Sequence, residues 1–332
     1  MLDFLIKILE IDSTSGREEF AADYIAQNFK PSAADMEIQN IPNGKKNIFF
    51  KWGKPKIIFC SHIDTVPPYI PPSRDNGIIR GRGSCDAKGQ IAAMYEACKQ
   101  LEREEKNNFG LLILAGEEVG SYGAITANKL IAGCEYVIVG EPTENKLIEA
   151  GKGNLLVEVT IKGKSCHSGY PEHGDNAVER MRLFLNRLAE LKFSEDYVLG
   201  NTTYNVGMLS SENAHNVVSD SVSFKIFFRT TFVTHDGIAD ILKSIADENT
   251  KFKIAYGDRP VKFHTLDGFE KGIVSYGSDA PELYNLGKRL LYGPGSILVA
   301  HTDKEHIKIA DLEMAVKDLK NIFYKLEKEL GR

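Results

Sequence analysis

The chain has 332 residues, of which 42% are hydrophobic and 26% are charged, and its formal net charge at pH 7 is -5. This composition is typical of a globular protein rather than a disordered or fibrous one, and the length is sufficient for two domains. The small negative charge gives no overall electrostatic reason to bind nucleic acid or an anionic membrane, so we predict neither as a partner.

The sequence also shows no pattern for export or for disulfide bonds. Its first residues lack the long apolar core of a signal peptide, and no apolar run reaches the roughly 20 residues that span a bilayer. The five cysteines are an odd number without CxxC spacing, which argues against a disulfide framework or a thiolate zinc finger. We therefore expect a cytoplasmic protein. Cys166 adjoins His167, but adjacency alone does not supply the geometry that a cysteine nucleophile needs.

Strand-like and helix-like segments alternate through the first part of the chain. In chain order they are a helix at 18–29, a strand at 57–60, a helix at 90–105, a strand at 111–116, a helix at 122–131 and a strand at 136–140. This alternation is typical of a doubly wound, largely parallel sheet, so we predict an α/β fold for this part of the chain.

The pattern changes near residue 154. Strands with alternating apolar residues and two helices follow, at 155–162, 176–191, 203–209, 221–230 and 235–246, and they indicate a small α+β module. After about residue 259 short elements resume, and the chain ends with an amphipathic helix at 311–330. We predict that this last part completes the first domain, which then comprises 1–153 and 261–332, with the module inserted at 154–260.

Histidines and carboxylates follow four of the apolar runs. The run at 57–60 leads to His62 and Asp64, that at 111–116 to Glu117 and Glu118, that at 136–140 to Glu141, and that at 290–293, after a loop, to His301. In open α/β sheets the loops at the carboxyl ends of parallel strands converge on one crevice, where ligands bind. These side chains would then meet at one site, and their residue types suit a metal ion.

Taken singly, these residues allow other interpretations. The carboxylate of Asp64 could hold the second ring nitrogen of His62, or the pair could simply cap a turn. Asp86 lies in the glycine-containing segment 81–89 just before a helix, where an aspartate is frequent as an N-cap. The spacing of that segment does not match a dinucleotide-binding loop.

The adjacent carboxylates Glu117 and Glu118 are the strongest indication of a metal. Two neighbouring charges after a buried strand repel each other unless a cation or a proton lies between them, although a solvent-exposed strand end is the alternative. Two histidines and three carboxylates, one of them shared, suffice for two divalent ions at the roughly 3.5–4 Å spacing of two-metal hydrolases. Imidazole and carboxylate ligands favour zinc, with cobalt or manganese as alternatives.

The order of these motifs resembles that of the M20 metallopeptidase family, which includes acetylornithine deacetylase, succinyl-diaminopimelate desuccinylase, aminoacylase and glutamate carboxypeptidase. The matching segments are 61–67, 81–89, 117–118, 140–143 and His301. Further segments look most like the branch of acetylornithine deacetylase and the desuccinylase, at 163–168, 176–177, 215–218, 293–296 and 300–305. The resemblance implies a zinc-peptidase-like catalytic domain with a mixed, largely parallel sheet, and an inserted α+β lid and dimerisation domain.

The same resemblance implies a role for each residue at the strand ends. Asp86 would bridge two metal ions, with His62 and Glu141 completing one coordination sphere and Glu118 and His301 the other. Asp64 would orient His62. Glu117 would be the general base, which takes a proton from the attacking water and returns it to the leaving amine.

In the lid, the resemblance points to three polar residues. His167 would reach the active site of a neighbouring subunit in a homodimer and stabilise the oxyanion of the tetrahedral intermediate. Asn216 would contact the substrate, and Arg229, on the polar face of its strand, would bind a substrate carboxylate. Without the resemblance, an ordinary polar sheet surface would explain all three. After the lid, the segment Gly277-Ser278-Asp279 resembles the substrate-carboxylate loop of the family, with Gly277 and Ser278 as the candidate contacts.

We expect a metal-dependent amidohydrolase that removes an N-acyl group from a small amino acid. N-acetylornithine, or another N-acyl ornithine or citrulline, is the first choice of substrate, with a role in arginine biosynthesis. Alternatives are succinyl-diaminopimelate, a carrier-linked lysine, and peptides cleaved by a dipeptidase or carboxypeptidase. A hypothesis of another class is a binding protein that keeps the fold without turnover.

Overall fold

The computed structural model describes residues 1–331, so Arg332, the last residue of the predicted first domain, lies outside the described residues. The helices are α1 (Leu2–Leu9), α2 (Glu19–Asn28), α3 (Lys88–Arg103), α4 (Tyr122–Leu130), α5 (Ala177–Glu190), α6 (Ile238–Ile245) and α7 (Ile309–Leu330). The strands are β1 (Asp35–Asn40), β2 (Lys46–Trp52), β3 (Ile57–His62), β4 (Ser73–Asp75), β5 (Ile78–Arg80), β6 (Phe109–Leu114), β7 (Tyr136–Val139), β8 (Leu147–Gly151), β9 (Gly153–Lys162), β10 (Thr203–Ser210), β11 (Ser221–Thr230), β12 (Thr250–Asp258), β13 (Val261–Lys262), β14 (Lys271–Val274), β15 (Lys288–Leu291) and β16 (His306–Lys308). None of the helices in residues 1–331 is long and apolar enough to cross a membrane.

The chain divides into two compact units. The first comprises Met1–Glu149, Phe263–Gly272 and Ser278–Arg332, and the second comprises Ala150–Lys262 and Ile273–Gly277. The boundary that we predicted after residue 153 therefore falls after Glu149, and the one predicted after residue 260 falls after Lys262. The short return of the chain to the second unit at Ile273–Gly277 was not predicted from the sequence, which assigned these residues to the first domain.

A six-stranded sheet in the order β1-β2-β6-β3-β7-β15 lies in the first unit. Strands β6, β3, β7 and β15 are parallel, whereas β2 is antiparallel to both of its neighbours. Every residue of β3, β6 and β7 is buried, which is typical of parallel strands covered on both faces. The predicted α/β fold with a mixed, largely parallel sheet is confirmed.

Helices α1, α3 and α7 share one apolar core with this sheet. The ring centroid of Phe323 in α7 lies 6.5 Å from that of Phe59 in β3 and 5.5 Å from that of Phe109 in β6. The helix that we predicted at 311–330 begins slightly earlier, at Ile309. The sequence did not predict α1 or the antiparallel pair of β1 and β2.

The parallel strands end together at one edge of the sheet. His62 ends β3 and pairs in register with Leu114, the last residue of β6. Cys60, near the end of β3, pairs with Val139, the last residue of β7. The segments that follow these strands therefore begin on the same side of the sheet, where their side chains can meet.

The second unit contains a four-stranded antiparallel sheet in the order β10-β11-β9-β12. Alternate residues of β9 and β11 are buried, and they form one apolar cluster with residues of α5 and α6. In β11, Phe224, Ile226 and Phe228 belong to this cluster, whereas Lys225 and Arg229 alternate with them and are partly exposed. The unit is an α+β module, as the alternation of apolar residues predicted.

Truncation of Phe224 is predicted to destabilise the second unit. Phe224 is 1% exposed, and its ring centroid lies 5.9 Å from that of Phe184 in α5. Because alanine would leave a cavity, Phe224→Ala should lower the free energy of unfolding by about 3–5 kcal/mol. Ser223→Ala, at an exposed neighbouring position, should change it by less than about 0.5 kcal/mol. Urea denaturation measures both values, and equal effects would contradict the packing described here.

Candidate active site

Two groups of potential metal ligands share one carboxylate. His62, Asp86 and Glu141 form the first group, and Asp86, Glu118 and His301 form the second. Within each group the candidate ligand atoms all lie within 4.8 Å of one another. The structure thus brings the five predicted ligands together, and Asp86 is the residue that belongs to both groups. A carboxylate shared by both groups suits two closely spaced divalent ions.

The first group is enclosed by protein. His62, Asp86 and Glu141 are 1%, 6% and 3% exposed. The Nε2 atom of His62 lies 3.1 Å from Oδ1 of Asp86. Its Nδ1 atom lies 3.0 Å from the main-chain oxygen of Asp64 and 3.6 Å from Oδ1 of the same residue. Nε2 is therefore the ring nitrogen that faces the other ligands, and the main-chain oxygen of Asp64 is the nearer of the two groups that orient the ring.

The second group is more open to solvent. The side chain of His301 is 51% exposed, and its Nε2 atom lies 3.3 Å from Oδ2 of Asp86 and 3.2 Å from Oε1 of Glu118. The two oxygens of the Asp86 carboxylate thus face different histidines, Oδ1 facing His62 and Oδ2 facing His301. His301 has a φ of 61°, in the left-handed region that residues other than glycine rarely adopt. Such strained backbone is concentrated at functional sites.

Asp64 holds the loop that carries the two adjacent glutamates. Its Oδ1 accepts hydrogen bonds from the amides of Gly116 (2.8 Å) and Glu117 (3.0 Å), and its Oδ2 accepts from the amide of Glu118 (3.1 Å) and from Oγ of Ser15 (3.1 Å). Burial alone would raise the pKa of Asp64, but His62 and then the amides of Glu117 and Glu118 outweigh burial and hold the pKa below its usual value. Asp64 therefore contacts His62, as predicted, and it also anchors the loop that carries Glu117 and Glu118. The sequence did not predict this second role.

Burial and mutual repulsion act on the carboxylates of the site. Burial raises the pKa of Glu117 and of Glu141 well above the usual value, and neighbouring carboxylates add to this effect, although His62 opposes it. These side chains therefore hold protons more tightly than exposed glutamates do. A cation placed among them would relieve the same repulsion.

The same carboxylates raise the pKa of the two imidazoles, because they stabilise the protonated, positively charged ring. Hydrogen bonds to Asp86 and Glu118 raise the pKa of His301 to about 10. Burial alone would lower the pKa of His62, but the carboxylates of Asp64 and Asp86 outweigh burial and raise it well above the usual value. Each imidazole thus binds a proton where it is surrounded by negative charge. Two imidazoles and three carboxylates that favour positive charge in this way fit divalent metal ions.

Asp279 is a further buried carboxylate near this site, and it was not among the predicted site residues. It is 2% exposed, and burial raises its pKa to about 7, while the nearby His62 opposes this shift and Asp64 adds to it. In the sequence it was noted only as the last residue of the segment Gly277-Ser278-Asp279, without a role of its own. Local sequence gives no indication that this aspartate is buried close to a histidine more than 200 residues away.

His167 and Asn216 lie in the second unit. Both side chains are exposed, and the main-chain oxygen of Asn216 accepts a hydrogen bond from the amide of Ser168 at 3.0 Å, so the two segments lie side by side. Nδ1 of His167 accepts from the amide of Gly169 at 3.1 Å. This contact leaves Nε2 as the ring nitrogen directed away from its own loop.

Arg229 is partly buried and lies over an aromatic ring. Its guanidinium carbon lies 4.6 Å from the centre of the Phe227 ring, and burial lowers its pKa. No carboxylate in residues 1–331 forms an ion pair with it. Gly277 belongs to the second unit, whereas Ser278 belongs to the first, where its Oγ accepts a hydrogen bond from the amide of Ala280 at 3.3 Å.

A protein family and several individual proteins are similar to this chain over most of its length. The sequence pattern of Peptidase family M20/M25/M40 matches residues 58–325. A Peptidase M20 domain-containing protein of Schizosaccharomyces pombe is 33% identical over 318 residues, which cover 92% of this chain and 79% of the relative. A probable carboxypeptidase of Aspergillus terreus is 35% identical over 368 residues, which cover 97% of this chain and 85% of the relative.

Solved structures share the fold at lower identity. A tripeptidase of Staphylococcus aureus has a TM-score of 0.80 at 20% identity, covering 97% of this chain and 96% of its own. An M20 family metallo-carboxypeptidase of Sulfolobus solfataricus has a TM-score of 0.75 at 17% identity, covering 96% of this chain and 97% of its own. The two ligand groups, the fold and the family pattern over residues 58–325 agree, and the chain belongs to the M20/M25/M40 family of peptidases.

Proposed function

We propose that this M20-family hydrolase uses two divalent ions to cleave the amide bond that precedes an amino acid with a free carboxylate. The observation that carries the proposal is the position of Asp86, whose two carboxylate oxygens face the histidines of both ligand groups. Glu117, next to the candidate ligand Glu118, supplies a carboxylate that belongs to neither group. Two shared sites with an adjacent base suit metal-assisted hydrolysis.

The donor set decides which ions the site would hold. His62, Asp86 and Glu141 would bind one ion, and Asp86, Glu118 and His301 would bind the other. When bound, two divalent ions make a nearby water more acidic and polarise the carbonyl of the scissile amide. Imidazole nitrogens together with carboxylate oxygens favour zinc, with cobalt or manganese as alternatives.

Glu117 is the residue to which we assign proton transfer. Its main chain is fixed by the carboxylate of Asp64, which also fixes the next residue, Glu118. The two successive side chains therefore start from one loop whose main chain is anchored. Glu118 belongs to a ligand group, whereas Glu117 does not. A carboxylate in this position can take a proton from water and return it to the leaving amine.

Arg229 supports a substrate with a free carboxylate. Its guanidinium is partly buried and has no carboxylate partner in the described part of the chain, so a substrate carboxylate would satisfy it. Relatives over nearly the whole chain are called probable carboxypeptidases, and a structural neighbour from Saccharomyces cerevisiae is described as a di-peptidase. Carboxypeptidases, dipeptidases and N-acyl amino acid deacylases all act on substrates that end in an amino acid with a free carboxylate.

Within this class, the identity of the released amino acid stays a prediction. N-acetylornithine remains the substrate that the sequence motifs favour, with succinyl-diaminopimelate, a carrier-linked lysine and simple dipeptides as alternatives. A homodimer formed through the second unit, with His167 acting in a neighbouring subunit and Asn216 contacting substrate, is likewise a proposal, as is a cytoplasmic location.

Binding of zinc to the metal-free protein is predicted to release protons. Since the pKa of His301 is raised to about 10, its imidazole is protonated at pH 7 and must lose a proton before Nε2 can bind a metal. Metal affinity should therefore rise as the pH rises toward 10 and fall as the pH is lowered. Calorimetric titrations in two buffers with different ionisation heats measure the protons released, and identical heats would contradict this prediction. His301→Ala should release about one proton fewer.

Glu117→Gln is predicted to abolish most turnover while metal binding is retained. The amide has nearly the same shape but cannot accept a proton, so kcat should fall by at least about 10²- to 10⁴-fold. Metal content, measured by atomic emission on the purified variant, should equal that of the wild type. Glu313→Gln, at an exposed position on α7, is the matched control and should leave kcat unchanged. Full turnover by Glu117→Gln would exclude its proposed role.

Arg229→Met is predicted to raise KM for substrates with a free carboxylate by about 10- to 100-fold, because a charge-assisted hydrogen bond is lost. Lys225→Met, on the same face of β11 and paired with Glu158, is the control and should have little effect. Mass spectrometry of hydrolysis should be run on a panel of dipeptides, longer peptides, N-acetylornithine and succinyl-diaminopimelate, each compared with a C-terminally amidated form where one exists.

The panel also tests the proposed function itself. Wild-type protein should cleave the free acids and leave their amidated counterparts largely intact, and only the free acids should respond to Arg229→Met. Equal rates on free and amidated substrates would exclude carboxylate recognition. No turnover of any member by metal-loaded protein would favour the binding protein of the same fold.

A further inference from the structure

Glu305 is a buried carboxylate that belongs to neither ligand group. It is 2% exposed and follows His301 within the segment 301–305. Its Oε1 accepts hydrogen bonds from three main-chain amides, those of Gly83 (2.9 Å), Cys85 (3.1 Å) and Asp86 (3.1 Å). The carboxylate thus sits in a concave nest of amides formed by the loop that leads to Asp86.

The second carboxylate oxygen and the main-chain oxygen of Glu305 also accept hydrogen bonds from this loop. Its Oε2 accepts a hydrogen bond from Nη1 of Arg82 at 2.6 Å, and both side chains are almost fully buried. Its main-chain oxygen accepts from the amide of Gly81 at 3.2 Å. The next residue, His306, pairs in register with Arg80, the last residue of β5. Because both carboxylate oxygens are occupied by donors of the protein, Glu305 acts on the loop rather than on a ligand.

The loop needs such an acceptor because it is not part of a helix or strand. Residues 81–87 lie between β5 and α3, and Gly83 has a φ of 85°, so the backbone turns sharply and its amides point inward to one place. Buried amides without a partner are costly, and an ionised acceptor binds them more strongly than a neutral one. The position of Glu305 therefore determines the path of the backbone up to Asp86.

We propose that Glu305 is a positioning residue for the bridging ligand: it holds Asp86 in place relative to His301 and thereby sets the spacing of the two metal sites. His301 approaches the carboxylate of Asp86 at 3.3 Å, and Glu305, from the same short segment, binds the amide of Asp86 at 3.1 Å. One segment thus contacts both the side chain and the main chain of the shared residue. This inference rests on the two-metal function proposed above.

Glu305→Gln tests the proposal, because it keeps the shape of the side chain but removes the charge that the amides bind. Its affinities for Zn²⁺ and Co²⁺, measured by competition with a chromophoric chelator, should fall by about 10- to 100-fold. The visible absorption of the Co²⁺-loaded protein should change as well, since the geometry around the ions depends on Asp86. Glu305→Asp keeps the charge on a shorter side chain, should give an intermediate loss of affinity, and replaces Glu305→Gln if that variant does not fold.

Asp318→Asn is the matched control. It weakens a partly buried hydrogen bond of 2.6 Å between Asp318 and the hydroxyl of Tyr292, neither of which belongs to a ligand group. This variant should lower the melting temperature of the metal-free protein while its metal affinities and Co²⁺ spectrum stay those of the wild type. The comparison separates a general loss of stability from a displaced bridging ligand.

Three outcomes would count against the proposal. Unchanged affinities and an unchanged Co²⁺ spectrum in folded Glu305→Gln protein would overturn this inference alone. Equal losses of affinity in Glu305→Gln and Asp318→Asn would also overturn it, because they would show an effect of stability only. Wild-type protein that does not bind two ions would overturn the proposed function and this inference with it.

Discussion

Two buried carboxylates that bind main-chain amides organise the site. Asp64 binds the amides of Gly116, Glu117 and Glu118, and Glu305 binds those of Gly83, Cys85 and Asp86. Each of these loops lies outside helices and strands, so its amides would otherwise be unsatisfied inside the protein. Since the loops carry candidate metal ligands, the positions of those ligands follow from a network of hydrogen bonds rather than from side-chain conformation alone.

This arrangement concentrates negative charge, which opposes folding. The carboxylates in or beside the two ligand groups include Asp64, Asp86, Glu117, Glu118, Glu141, Asp279 and Glu305. Burial is the main cause of the raised pKa values of Glu117, Glu141 and Asp279, and this crowding adds to it. Natural proteins retain such unfavourable groups mainly where they serve function. The rigid parallel sheet below them, with every residue of its central strands buried, supplies stability that the site itself does not.

The sequence predicted the strands and their ends far better than the interactions between loops. A buried parallel strand has a continuous apolar run, and the ligand that follows it is adjacent in sequence, so His62, Glu118 and Glu141 could be found. β1 was missed because it is an edge strand that is mostly exposed and lacks an apolar run. Glu305 and Gly83 are 222 residues apart, so no local pattern could indicate their hydrogen bond. The burial of Asp279 near His62 was not predicted for the same reason, since only the fold brings the two residues together.

The proposed metal ligands and the proposed substrate contact on β11 differ in how well their positions tolerate substitution. In β11 the apolar residues Phe224, Ile226 and Phe228 form the core, so Lys225 and Arg229 on the alternate positions can vary without a cavity or an overpacked side chain. A ligand such as Asp86 has no such freedom, because its amide, its carboxylate and the loop around it each have a fixed partner. The position that we propose to contact the substrate can therefore change more readily than the candidate metal ligands. For this physical reason, membership in the family indicates the hydrolysis that we propose more closely than it indicates the substrate.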